Sequence, residues 1–405
     1  MYNLKPPKLL HTMKTIVPPE RGWTNIALMS TAHFMSDFFT NLLPVLLPVL
    51  ALRFDMSYSQ SAALFTAFSV ISSLMQPAVG ILADKKDVHF LLPLSVSLAA
   101  ILVCLIGLFT QYWLLVFVLM LSGICAGLFH PLSAGVVPSI CPLAQRGLST
   151  SVYIAGGNIG AAVAPLVTAA FVQAFSDKYL LALSIPAVIT SILLVKNRLH
   201  HKPPVSAAAT EEISLARLVR SRSFLLLNSS ISIRCWTHCA FITFIPLLYS
   251  SLNYPAMVGA AALVVYLIGS VVGGLAAGSL ADRMRLKHVV IFSYVLLIIF
   301  SLIFLLNPDD SLLTMGILFL TGAAAYAATP VGVVWSQLLM PRNASFGAAM
   351  ILGFSFGIGY LLTPISGWCA DRLGLAEGLM ITAIPAAGAA LLILLFVREP
   401  RRDLA

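Results

Sequence analysis

Charge is what this sequence has least of. Only 10% of its 405 residues are Asp, Glu, Lys or Arg, against roughly 25% in an ordinary soluble domain. Meanwhile 59% are hydrophobic, and the mean hydropathy is +0.96. A chain so poor in charge cannot clothe a water-facing surface, so a soluble globular fold is excluded and lipid must meet most of its exterior. Long polar stretches are also scarce. One runs from Lys196 to Arg222, and the other loops are too short for a soluble domain. The short alternating segments of a β-barrel are missing, because the apolar runs are continuous for about 20 residues or more. There is no H-E-x-x-H, no G-x-S-x-G and no P-loop, which argues against an integral membrane enzyme. The six cysteines (Cys104, Cys125, Cys141, Cys235, Cys239, Cys369) form no C-x-x-C pair and read as small buried hydrophobes. Cys235, His238 and Cys239 have the spacing of metal ligands on a helix, but no second ligand pair accompanies them, so no metal site is expected. Residues 1–24 hold no apolar h-region with a cleavage site, and read as a cytoplasmic tail.

What the sequence does have is apolar runs. Read between their breakers, they give twelve spans, at about 25–51, 60–82, 89–110, 112–138, 149–174, 179–197, 223–250, 257–280, 288–307, 311–339, 344–369 and 375–397. The net charge of +9 sits in the short segments between them, a distribution that orients a membrane protein and does not suit a phosphate-binding face. No nucleic-acid partner is therefore expected. With both termini inside, the inner segments hold 20 of the 24 Lys and Arg. The outer loops hold Arg53, Lys178 and Arg372, and Arg234 lies within a span. The expectation is an all-α, multi-pass membrane protein with both termini cytoplasmic.

The polar stretch splits the spans six and six. The expected division is a tail at 1–24, a six-helix bundle at 25–197, a linker at 198–222, a second bundle at 223–397 and a tail at 398–405. Within the linker, SLARLVRS reads as a short amphipathic helix on the inner membrane face. Landmarks recur between the halves. Gly80-Ile-Leu-Ala-Asp84 returns as Gly278-Ser-Leu-Ala-Asp282, 198 residues on; His130-Pro131 aligns with Thr329-Pro330, and Pro165 with Pro364, each 199 on. Such a repeat predicts two pseudo-symmetric bundles about an axis along the membrane normal, with a site at their interface near the midplane.

The stretch from Ser30 to Leu50 is long enough to cross a bilayer, yet it carries His33, Asp37 and Asn41 four residues apart on one helical face. A central Asp costs about 2.5–3.5 kcal/mol on insertion scales, so it turns toward a cavity or a partner rather than lipid. Two readings stand: a proton-coupling stripe, or a structural ion pair with a packing histidine. In the seventh span Arg234 and His238 are likewise four apart and correspond to His33 and Asp37 after a shift of 201. Arg234 stays charged and needs a partner. Asp37, backbone oxygens and an anionic substrate are the three candidates, and the coupling scheme expected here pairs it with Asp37. His130 beside Pro131 suits gating or proton handling, and a structural histidine equally. Gln76, Tyr153, Asn158, Tyr266, Tyr326 and Tyr360 are further candidate cavity liners.

The loops GILADKKD and GSLADRMR resemble the motif that follows the second and eighth helices in the major facilitator superfamily. Carried over, the resemblance makes Gly80, Asp84 and Lys85, with Gly278, Asp282 and Arg283, gate residues, the glycines allowing helices to approach. GGNIGAAVAP, from Gly156 to Pro165, is similar to that superfamily's antiporter motif, although helix packing alone would choose the same residues. AHFMSD, SSLMQPAVGILADK, GLFHPLSA and Arg146-Gly are similar to fosmidomycin-resistance-type exporters. In the fourth helix that family tends to carry an acidic residue and an arginine after His-Pro, where this chain has Leu132, Ser133, Ala134 and Gly135. The resemblance implies a twelve-helix transporter that exports a small amphipathic or anionic organic compound, a drug or metabolite, driven by the proton gradient without a cofactor. Proton symport of an organic anion or a metal-chelating metabolite is the alternative within transport, and a receptor or sensor the alternative outside it. The expected partners are a small-molecule substrate and the lipid bilayer, with the chain a monomer.

Overall fold

The computed structural model describes residues 22–140, 146–201, 221–340, 344–397 and 399. Among these residues there is no strand, and twelve helices are long and apolar enough to cross a membrane. They are α1 (Gly22–Phe54), α2 (Tyr58–Gly80, continuing as helix to Lys85), α3 (Leu91–Leu108), α4 (Tyr112–Val137), α5 (Ser149–Phe175) and α6 (Asp177–Lys196). The second six are α7 (Arg222–Ser251), α8 (Ala256–Arg283), α9 (Leu286–Leu306), α10 (Leu312–Leu339), α11 (Gly347–Leu373) and α12 (Leu375–Phe396). All twelve expected spans are present, six on either side of a linker whose residues 202–220 lie outside the described set, as does the SLARLVRS segment up to its last serine, Ser221.

Local chemistry sets the helix ends. Ser57 accepts a hydrogen bond from Gln60 N, and Ser57 N donates to the Gln60 side chain, a reciprocal capping box that opens α2. Ser311 accepts from Thr314 N at the start of α10. α1 breaks between Thr40 and Leu43, just ahead of Pro44, whose missing N–H interrupts the helical ladder. Residues Met350–Phe354 in α11 form a wider π-helical turn, and the Asn228 amide and Ser355 hydroxyl donate to the Met350 carbonyl there. Neither the break nor this turn was expected from the apolar pattern.

Glycines set the helix pairs, and the same pairs occur in each half. A Cβ on Gly123 of α4 would lie 2.5 Å from the Phe68 carbonyl of α2; one on Gly322 of α10 would collide with the Tyr266 carbonyl of α8. Gly160 of α5 presses on Phe34 of α1, and Gly359 of α11 on Cys235 of α7. These equivalent contacts, 198 to 201 residues apart, carry the expected repeat into the packing. Of the twelve helices α7 is the most enclosed, with 89% of its apolar window buried against 33–56% for the others, so it runs through the middle of the molecule. Large apolar side chains such as Leu275, Phe292, Leu306 and Leu312 are exposed, as a lipid-facing wall requires.

Among the described residues the halves meet mainly along two seams, with α1 also against α7. α2 lies against α11, with the Thr66 hydroxyl on the Tyr360 carbonyl at 2.8 Å and Asp371 bound to Tyr58 N at 2.6 Å and Ser59 N at 3.1 Å. α5 lies against α8, enclosing with α1 an apolar cavity of about 260 Å³ lined in part by Val45, Ala169, Val172 and Met257. Arg53 and Asp177 form an ion pair, and Arg53 also donates to the Gly107 carbonyl, tying α1, α3 and α6 together.

Candidate functional site

His33 and Asp37 share a face of α1 because they are four residues apart, and α5 is pressed onto that face. A Cβ on Gly156 would strike the Ser30 carbonyl; one on Gly157 would lie 2.6 Å from Asp37 Oδ2 and 2.6 Å from His33 Cδ2. Glycine at 157 therefore makes the room the two side chains occupy. His130 arrives from α4. Its Nε2 lies 3.4 Å from Asp37 Oδ1, while His33 Nε2 lies 3.3 Å from Asp37 Oδ2. One carboxylate thus bridges two imidazoles from two helices.

The surroundings hold this group in place. His33 Nδ1 lies 2.9 Å from the Tyr153 carbonyl, and the His33 ring stacks on the Tyr153 ring at 4.5 Å. Phe129 and His130 complete an aromatic wall at 5.7 and 5.3 Å. The Tyr153 hydroxyl meets the Ser133 hydroxyl at 2.6 Å, and Ser133 donates to the His130 carbonyl at 3.1 Å. Tyr153 is buried, with its ring against that of His33. Asn41 donates to the Asp37 carbonyl at 2.9 Å, at the break in α1.

A chemical consequence follows from the hydrogen bonds alone. A carbonyl oxygen only accepts, so His33 Nδ1 must carry the hydrogen it shares with Tyr153. In the neutral ring Nε2 then presents a lone pair toward the Asp37 carboxylate. Attraction across that 3.3 Å gap needs one positive entity between them. The side chains of Asp37 and His130 keep 20% and 38% of their exposure, so the group is reachable.

The second half holds a different assembly. His238 of α7 is bound through Nδ1 to the Tyr266 hydroxyl at 2.8 Å, with Tyr326 and Phe356 against its ring at 5.6 and 5.7 Å. Arg234 is fully buried. Its Nη1 donates to the Ala325 carbonyl at 2.5 Å and its Nη2 to the Thr329 hydroxyl at 2.7 Å. The expected Asp37–Arg234 pair is therefore corrected: Asp37 takes its partners from α1 and α4 of its own half, and Arg234 takes oxygens of α10. Helix rotation decides this, because Arg234 lies among α7, α9 and α10 inside the second bundle, with Tyr294 of α9 in its environment. Tyr326 lies within electrostatic range of both Arg234 and Asp37.

Other expected liners scatter. Tyr360 sits at the α2–α11 seam against Phe65, Gln76 is half-buried on α2, and Asn158 is exposed on α5, away from the face that packs on α1. Cys235, His238 and Cys239 do not converge as ligands: Cys239 turns to the Phe356 carbonyl and His238 to Tyr266. The gate glycines differ from expectation. Among the described residues a Cβ on Gly80 would meet only Pro131, at 4.0 Å, and one on Gly278 would meet nothing within 4 Å, so no close approach of a described neighbour rests on either glycine in this conformation. Asp282 and Arg283 are exposed at the end of α8, while the side chains of Asp84 and Lys85 lie outside the described residues. Gly157 and Ser133 were not singled out beforehand. Each belongs to a quoted motif, but only the fold brings them to His33, Asp37 and Tyr153.

The comparisons with known proteins agree with this architecture. A family model described as Major Facilitator Superfamily matches residues 29–265 and 230–405. The chain is 24% identical over 355 residues to the fosmidomycin resistance protein of Escherichia coli strain K12, covering 85% of this chain and 86% of that protein. It is 24% identical over 377 residues to YfnC, an uncharacterized MFS-type transporter of Bacillus subtilis strain 168, covering 90% of each. Among solved structures, a bacterial homologue of the human lysosomal transporter Spinster, inward-facing and unoccupied, superposes with a TM-score of 0.76 at 16% identity. That match covers 92% of this chain and 96% of the other.

Proposed function

This chain belongs to the Major Facilitator Superfamily, and from that premise we propose that it is a proton-coupled antiporter exporting a small amphipathic or anionic organic compound by alternating access. It is a transporter rather than an enzyme, built as a multi-pass, all-helical membrane protein of two six-helix halves. The observation that carries the coupling step is Asp37 held between His33 and His130, with His33 Nδ1 already committed to the Tyr153 carbonyl. A proton entering this group completes the His33–Asp37 contact, and its loss leaves a lone pair facing a carboxylate. The same proton also governs the contact from Asp37 to His130 of α4, so the two states differ in how tightly α1 holds α4, which is what a coupling site must change. We place the compound beside Tyr326, His238 and Tyr266, where the second half offers rings and polar hydrogens on one wall. The proposed setting is a bacterial inner membrane with both termini in the cytoplasm.

The test is transport in proteoliposomes under an imposed pH gradient, with fosmidomycin as the first probe because a relative of this chain is named for resistance to it. The wild-type chain should move the probe against the proton flux, and Asp37→Asn should abolish the gradient-driven component while still binding the probe. Undiminished gradient-driven flux in Asp37→Asn removes the carboxylate from the mechanism. Movement of the probe with the protons instead of against them makes the chain a symporter.

A further inference from the structure

We propose that His33, Asp37 and His130 also form a three-ligand site for a borderline divalent transition metal such as Zn²⁺, which seizes the coupling group and arrests transport. The inference deepens the proton reading above and rests on it, because metal and proton would occupy the same lone pairs.

The geometry is that of a ligand set. Two imidazole nitrogens and one carboxylate offer atoms that all lie within 4.8 Å of one another. Metal–nitrogen and metal–oxygen bonds of about 2.0–2.1 Å around a tetrahedral centre put neighbouring ligand atoms about 3.3 Å apart. The two histidine–carboxylate separations here are 3.3 Å, from His33 to Oδ2, and 3.4 Å, from His130 to Oδ1, so the carboxylate meets each imidazole with a different oxygen and a shared ion would take it as a two-oxygen ligand. His33 also has the outer partner that metal-binding histidines use: its other ring nitrogen is committed to a backbone carbonyl, which fixes the tautomer so that Nε2 points a lone pair inward. Glycine at 157 leaves the centre free of a side chain, and Phe129 and Tyr153 wall it with rings.

Charge and access fit as well. A dication satisfies the His33 lone pair and the Asp37 carboxylate at once, and Arg234, engaged with Ala325 and Thr329, does not compete for the carboxylate. Partial exposure of Asp37 and His130 gives an entry path, with the remaining coordination position on that open side. Two nitrogens with one carboxylate select Zn²⁺, Co²⁺ or Ni²⁺ over Mg²⁺ and Ca²⁺, which prefer all-oxygen shells.

The experiment is a titration of the purified full-length protein, stripped with chelator, using Co²⁺ as a spectroscopic stand-in for Zn²⁺. Intense visible bands of low-symmetry Co²⁺ should grow to one equivalent and vanish on adding Zn²⁺. Asp37→Asn and His130→Gln should each weaken Co²⁺ binding at least tenfold, while a His200→Gln, His201→Gln double variant leaves it unchanged. All variants are compared at matched thermal unfolding, so a lost band is not lost fold. Absent bands, or bands that survive in His130→Gln, overturn the metal site. Gradient-driven flux measured in excess chelator separates the two claims: if Asp37→Asn loses that flux but wild type binds no Co²⁺, only the metal inference falls. If Asp37→Asn keeps the flux, the proton reading falls.

Discussion

At the residue scale, the function proposed here depends on a few atoms that tolerate no substitution of size. Gly157→Ala places a methyl group 2.6 Å from Asp37 Oδ2, so the histidine–carboxylate group must part or α5 must lift from α1. Overpacking of that kind typically costs about 1–3 kcal/mol. We expect gradient-driven transport to fall at least tenfold in this variant while the protein stays folded, as read by flux against thermal unfolding. The link between Tyr153 and Ser133 makes a second prediction. Ser133→Ala strands a buried phenol hydroxyl and should destabilise by about 1–3 kcal/mol, whereas Tyr153→Phe with Ser133→Ala, which removes both partners, should recover much of that loss. A double-mutant cycle on unfolding temperature measures the difference, and equal losses in the single and double variants would refute the pairing.

At the element scale, helix pairs are set by glycines that rest on carbonyls of the neighbouring helix. Gly123→Ala should separate α4 from α2, and Gly322→Ala should separate α10 from α8, since in both a new Cβ meets backbone that cannot swing aside. Gly316 is the control. It lies on the same helix as Gly322, but its Cβ would meet nothing within 4 Å among the described residues, so Gly316→Ala should be neutral or gain up to about 1 kcal/mol from reduced backbone freedom. Thermal unfolding of the three variants in one detergent gives the ranking. The repeat itself was legible in the motif offsets, because small residues at fixed spacing are a local property of the chain. The π-helical turn in α11 was not, since it depends on whether a freed carbonyl finds a partner on another helix, as Met350 does with Asn228.

At the scale of the whole molecule, alternating access requires that one seam between the halves open while another closes. Asp371 of α11 binds the first two backbone amides of α2, and Gly367 lets the helices close there, its Cβ position lying 2.7 Å from Ser59 Cα. A carboxylate at a helix N-terminus is favoured by the unsatisfied N–H groups, and here it comes from the opposite half. Asp371→Ala should therefore shift the population toward a form open on that side. Spin labels at Leu52 and Leu373, exposed and in different halves, should report a longer distance component in the variant. An unchanged distance distribution would mean that Asp371 is not a closing contact.

The sequence by itself determined the membrane class, the twelve spans and the duplicated halves, because scarcity of charge, run length and motif spacing are local and additive along the chain. It also singled out His33, Asp37 and His130, since ionisable groups in apolar runs stand out wherever they end up. Which of them meet was decided by tertiary structure alone. Asp37 and Arg234 attract in principle, but side-chain direction follows helix rotation, and packing of α7 turns Arg234 to Ala325 and Thr329 while packing of α4 and α5 on α1 brings two imidazoles to one carboxylate.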